Sequence, residues 1–122
     1  MANRDEFDTV YAALRKLMLP YAKKLVVVND DPGSLYLDTQ HIMKNKKPLF
    51  FGAIQIKKNY VSYHLMPVYV NPALLDDMSG DLGKRMQGKS CFNFKAIDKT
   101  LFAELGKLTK RGFDYYRKEG YI

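Results

Sequence analysis

Apolar residues recur at steps of three and four near the start of the chain, where Phe7, Val10, Tyr11, Leu14, Leu17, Met18 and Tyr21 define one stripe of an α-helix. Arg15 and Lys16 fall on its outer side. Asn3 is placed to cap this helix while Glu6 reaches back to it, and Asp5 with Glu6 suits the positive end of the helix dipole. Pro20 lacks a backbone donor and crowds the preceding turn, so the helix is predicted to end or bend between Leu19 and Lys24. A second stripe, Leu101, Phe102, Leu105, Leu108, Phe113 and Tyr116, predicts a last helix that starts at Asp98, with Ile97 and Phe102 as a hydrophobic staple. Its outer side is basic, with Lys107, Lys110, Arg111, Arg117 and Lys118.

Between the helices the period shortens to two. A β-branched run at 25–28, the turn formers NDDPGS and the extended LYLDT predict a short hairpin, and the polar, basic HIMKNKK predicts a second turn. From Pro48 the stretch PLFFGAIQIKKNYVSYHLM reads as a longer hairpin. A two-residue loop at Lys58-Asn59 pairs Lys57 with Tyr60 and thereby sets every later pair. One face then carries Phe50, Gly52, Ile54, Ile56, Val61, Tyr63 and Leu65, and the other Phe51, Ala53, Gln55, Lys57, Tyr60, Ser62, His64 and Met66. The first is apolar and predicted to lie beneath the helices; the second mixes aromatic, amide, hydroxyl and imidazole groups, as an open sheet face does. Beyond Val70, a short helix with Asn71 as cap and Pro72 at its first position, then a glycine-broken loop, lead to a strand at 91–95.

The pattern therefore predicts an α+β fold, an antiparallel β-sheet covered on one face by N-terminal and C-terminal amphipathic helices. The 122 residues fit one domain, 1–122, without internal repeat or linker. Twenty Lys and Arg against thirteen Asp and Glu give a net charge of +7, which favours acidic or phosphate-bearing partners. Cys91 is the single cysteine, so no intramolecular disulfide can form and a reducing cytoplasm is the expected compartment. No apolar run approaches the roughly 20 residues of a membrane span, and the acidic MANRDEFD start has no apolar core of a leader.

Candidate chemistry is sparse. Cys91 with His64 is the one thiol and base on neighbouring strands, and no GxSxG elbow offers a serine alternative. Asp38 and His41 are three apart in a strand-to-loop transition, a spacing that defines no common face. Hard-cation sites could draw on Asp30 and Asp31, on Asp76 and Asp77, or on Asp5, Glu6 and Asp8. Each group also serves as a helix-end complement, a solvated pair or a turn former. SGDLGKRMQGK lacks P-loop spacing. Lys44, Lys46, Lys47, Lys57, Lys58, Lys84, Arg85 and Lys89 fall in predicted loops, and Tyr60 and Phe51 could offer stacking surfaces, the raw material of a nucleic-acid surface without a recognised motif.

The order LFFGAIQIKKNYVSYHLM, a short helix, then GKSCFNFK before a final helix resembles the YdhG-like family of bacterial domains, most of them without assigned function. The corresponding stretches are Lys46-Lys47-Pro48-Leu49 for the family's "GKPL" segment, Lys57-Lys58-Asn59 for its Lys-containing turn, and Gly88 to Phe94 for its "GKGTIRF"-like strand. The resemblance implies an α+β sandwich and, from one branch described as frataxin-like iron chaperones, iron handling by acidic surface clusters. The chain departs from that pattern in being basic overall and in having NDDPGSLYLDT where many relatives carry a "GMPAF"-like segment. The family has no agreed catalytic residues to carry over.

The leading expectation is a non-enzymatic cytosolic protein that binds a small molecule or a protein partner through Phe51, Gln55, Tyr60, Ser62, His64 and Met66. Iron delivery through Asp5, Glu6, Asp8, Asp76 and Asp77 is the first alternative and nucleic-acid binding the second. The sequence leaves both a monomer and a homodimer open.

Overall fold

Two amphipathic helices, α1 (Arg4–Met18) and α4 (Lys99–Lys118), pack against one face of a six-stranded antiparallel sheet in a computed structural model that describes residues 4–122. The strands are β1 (Val26–Asp31), β2 (Ser34–Ile42), β3 (Pro48–Ile56), β4 (Val61–Leu65), β5 (Met86–Gln87) and β6 (Cys91–Phe94), in the spatial order β1-β2-β3-β4-β6-β5. Asn3 and the side chain of Asp5 lie outside the described residues, so the expected capping box does too. The other end of α1 behaves as Pro20 requires. The α-helix stops at Met18 and a 3₁₀ segment, Leu19–Lys24, carries the chain to β1.

The helical stripes and the strand alternation meet in one core. Phe7, Val10, Tyr11, Leu14 and Met18 of α1 and Leu101, Phe102, Leu105, Leu108, Phe113 and Tyr116 of α4 are buried against Leu35 and Leu37 of β2, Ile54 of β3, Val61, Tyr63 and Leu65 of β4 and Phe92 and Phe94 of β6. Asp98 caps α4 by accepting the Leu101 backbone N–H, 3.0 Å. One polar link crosses the buried layer. Thr109 donates its only hydroxyl proton to the Leu105 carbonyl, so Tyr63 donates its own to Thr109 Oγ1, 2.6 Å away.

The turns follow their residues. Pro32 and Gly33, with Gly33 at φ 81°, join β1 to β2 as a Pro-Gly pair does in a type II turn. β2 runs beyond LYLDT to Ile42, so the second turn is confined to Met43–Lys47, where Asn45 Oδ1 accepts the Lys47 backbone N–H. Beyond β4 the chain makes a single turn of helix, α2 (Pro67–Val70), a 3₁₀ turn at Pro72–Leu75 and another short helix, α3 (Gly80–Gly83), before β5. The sheet ends at β1, where Val26, Val27 and Val28 are exposed. The register break between Val27 and Asn29 and the charges of Asp30 and Asp31 are devices that keep such an edge from pairing with another chain.

The β3–β4 register is as the two-residue loop predicts: Ile56 faces Val61, Ile54 faces Tyr63, Gly52 faces Leu65, and the Lys57 N–H donates to the Tyr60 carbonyl. The faces, however, exchange at the start of β3. Leu37 pairs with Gly52 but Asp38 with Phe50, so Phe51 is an additional residue in β3, a β-bulge. The expected placement of Phe50 in the core and Phe51 on the open face is therefore reversed. Phe51 is 0% exposed, with its ring set edge-on to Phe113 and Tyr116 at 6.1 and 5.9 Å. Phe50 turns to the opposite face and stacks on Tyr36 at 4.7 Å. Tyr116 secures the bulge by donating to the Phe50 carbonyl, 2.9 Å.

Gly52 allows the sheet to approach α1 here. A Cβ at this position meets the Met18 side chain at 2.5 Å and the His64 carbonyl oxygen at 2.9 Å. Met18 can swing away, but the His64 oxygen belongs to a central strand. Gly52→Ala is expected to destabilise the fold by about 1–3 kcal/mol, read as a lower urea midpoint with an unchanged slope.

Candidate functional site

The helices leave the other face of the sheet uncovered, and strand register arranges that face in rows. Ser34, Gln55, Ser62 and Asn93 lie side by side across β2, β3, β4 and β6. Tyr36, Ala53, His64 and Cys91 form the next row, which Gln87 of β5 extends. Small side chains are interspersed through both rows: Ala53 and Cys91 on either side of His64, and Ser62 beside Gln55. Larger ones surround them, with Tyr36 and Phe50 on one side, Tyr60 and Gln87 on the other, and Lys57 above Gln55. The sheet is thus hollowed into a cleft of about 430 Å³. That lies within the 300–1,000 Å³ common to small-molecule sites.

The aromatic wall is pre-assembled. Phe50 stacks on Tyr36, and the His64 ring meets Phe50 edge-on at 4.8 Å. His64 is held from its other side by Ser90, whose Oγ lies 2.7 Å from Nε2. Burial pushes the His64 pKa below its ordinary value of about 6.5. The folded state therefore binds this proton less readily than the unfolded chain. The contribution of neutral His64 is present above about pH 6.5 and is lost as pH falls through that value toward the lower folded pKa. An NMR titration of the His64 ring protons is expected to give a midpoint below 6.5, and His64→Gln should flatten the loss of stability over the same interval.

Cys91 sits directly opposite His64 in the β4–β6 ladder. Burial raises its thiol pKa, partly offset by a hydrogen bond from Ser62 and the positive charge of Lys57. A thiol held protonated is a poor nucleophile. His64 Nε2 is also engaged with Ser90 rather than with the sulfur. The Ser90–His64 pair has the spacing of a nucleophile and its base, but Ser90 is 8% exposed and lies outside the cleft lining, and no further side chain among the described residues orients the ring through Nδ1. The arrangement suits a positioned wall rather than a reacting centre.

Polar groups fill the remaining rim. Lys57 Nζ donates to Gln55 Oε1 at 2.9 Å, and Asn93 Nδ2 donates to Gln87 Oε1 at 2.7 Å. Asn93 Oδ1, and Asp38 Oδ1 on the β2 side, are sealed from solvent with no hydrogen-bond partner. Desolvation raises the Asp38 pKa. Beside the cleft runs a second hollow of about 440 Å³ that shares Tyr60, Gln87 and Asn93 and adds Lys84, Arg85, Met86 and Lys95.

Of the residues expected on the binding face, Gln55, Tyr60, Ser62 and His64 line the cleft. Phe51 does not, because the bulge sends it into the core. Met66 does not either. β4 ends at Leu65 and the chain turns at Met66 into α2, so the strand alternation that would have placed it on the face has already stopped. The hairpin pattern does not place Tyr36, Phe50, Gln87 or Asn93 on the binding face, and it offers Cys91 only as a nucleophile. Two of these had a signal. Tyr36 alternates with Leu35 and Leu37, and Asn93 with Phe92 and Phe94, so the apolar partners point each of them to the open face. Gln87 had none, since β5 is two residues long.

Of the carboxylates proposed for metal, the side chain of Asp5 lies outside the described residues. Glu6 and Asp8 lie on α1, Asp76 and Asp77 follow the 3₁₀ turn, and among the described residues no group of three or more His, Cys, Asp or Glu side chains gathers to hold an ion. No helix among the described residues is long and apolar enough to cross a membrane. Comparison with family models, curated proteins and solved structures finds no match to this chain.

Proposed function

We propose that this chain is a binding protein without a catalytic role, and that the cleft on its open sheet face holds a small molecule. The observation that carries the reading is the hollow itself: Ala53, Ser62 and Cys91 keep the floor low around a fixed imidazole, with a stacked aromatic pair on one side and amide groups close by. Asn93 Oδ1, on a residue that lines the cleft, is buried and unpaired, and a reorientation of its amide on ligand binding would recover part of the roughly 1–3 kcal/mol that such a group costs. The α+β arrangement agrees with what the resemblance to YdhG-like domains implies. Many unrelated activities share such scaffolds, so the reading rests on the cleft.

A ligand-observed NMR screen of a diverse fragment set against the wild type and Ser62→Phe tests this. Compounds that bind the wild type and are lost with a phenyl ring on the cleft floor support the reading. Hits that bind both proteins equally contradict it.

A further inference from the structure

Charge around the proposed binding face is uneven. Lys57 stands at the mouth of the cleft, and the adjoining hollow contributes Lys84, Arg85 and Lys95, while no Asp or Glu lines either one. Lys84 has a distant, exposed partner in Asp81 at 3.9 Å, whereas among the described residues no ion pair engages Lys57, Arg85 or Lys95. The acidic group of this face, Asp38, lies on β2 on the far side of the cleft from β5. Positive charge is thus concentrated at one end.

The cleft proper supplies the complementary chemistry. The Tyr36–Phe50 stack and Tyr60 provide flat π surfaces on opposite sides of a floor of small residues. Gln55 and Gln87 bring amide donors and acceptors to the same space, the groups that read the polar edge of a heteroaromatic ring. The two hollows adjoin, sharing Tyr60, Gln87 and Asn93 in their linings, so a molecule seated in one lies beside the other.

Resting on the proposed binding role of this face, we infer that it takes a planar heteroaromatic ring bearing an anionic group, a ligand of the nucleoside monophosphate class. Its ring occupies the cleft and its anion the basic hollow beside β5. The occupant is a free small molecule. Tyr36 with Phe50 closes the cleft on the β2 side, and the cleft with its basic neighbour, about 430 and 440 Å³, offers room on the scale of one small molecule.

Calorimetry and amide shift mapping with adenosine 5′-monophosphate, adenosine, inorganic phosphate and a hexadeoxyadenylate test the inference. The monophosphate is expected to bind at least about five-fold more tightly than adenosine at low ionic strength, with the difference closing near about 1 M salt. Lys84→Gln combined with Arg85→Gln should remove that advantage and leave adenosine binding unchanged, while Tyr60→Ala should weaken both. Equal affinity for monophosphate and adenosine overturns the anion assignment, and absence of binding by both overturns the ligand class. Tight, steeply salt-dependent binding of the oligonucleotide without detectable monophosphate binding overturns it in favour of a nucleic-acid surface. The fragment screen described above separates these failures from failure of the binding role, since fragments lost in Ser62→Phe would still locate a ligand in the cleft.

Discussion

Phe51→Ala is expected to lower the free energy of unfolding by about 3–5 kcal/mol, while Phe50→Ala, one position away, costs about 1–2 kcal/mol. Phe51 is fully enclosed between β3 and α4, in edge-on contact with Phe113 and Tyr116, so truncation leaves a cavity that rigid neighbours cannot close. Phe50 is half-buried on the open face and loses chiefly its stack on Tyr36 and its contact with His64. Urea denaturation of the two variants checks the order. Uninterrupted alternation along β3 gives the opposite ranking, so a larger cost for Phe50→Ala would show that the bulge at Phe51 is wrongly placed. The pair also separates core from cleft, since only the Phe50 variant should alter the open face.

Ser62→Phe is expected to keep the fold, with stability changed by no more than about 1 kcal/mol, and to close the cleft. Ser62 lies at the centre of the floor on an interior strand, where an aromatic residue suits the pleated surface and projects into open space. The hydroxyl that it removes stabilises the Cys91 thiolate, and the ring that it adds covers the thiol from the cleft side. Alkylation of Cys91 by iodoacetamide should therefore slow markedly relative to the wild type. Affinity for adenosine 5′-monophosphate should fall by at least about ten-fold, about 1.4 kcal/mol. An unchanged alkylation rate in a folded variant would mean that Ser62 and Cys91 do not share one floor. As the chain's single cysteine, Cys91 reports on the cleft without added mutations.

Much of the fold was legible because its signals are local and strong. The stripe from Phe7 to Met18, the proline at 20, the cap at Asp98 and the two-residue loop at Lys58-Asn59 each act through neighbouring residues, and each appears where the pattern puts it. The bulge was not legible. Phe50 and Phe51 are identical in chemistry, so hydrophobicity could not say which one faces α4. The choice is made by tertiary contacts, with Phe113 and Tyr116 receiving one ring and Tyr36 the other.

The candidate site was legible only in part for a related reason. A single hairpin supplies Gln55, Tyr60, Ser62 and His64, and its register can be read from its loop. The cleft exists because β2 and β6 flank that hairpin and bring Tyr36, Cys91 and Asn93 alongside, and strand order is not written in any local pattern. β5 is still less visible, since two residues held by the β6 ladder carry no period. The concavity emerges when the rows are assembled, with Ser62 diagonal to both Ala53 and Cys91.

A shift map of the ¹⁵N-labelled protein, recorded with the tightest wild-type binder from the fragment screen, tests the binding face most directly. The expected result is movement centred on the amides of Ala53, Ser62, His64, Cys91 and Asn93, with the exposed surface of α1 and α4 undisturbed. Movement confined to the helical face, with those five amides still, would contradict it.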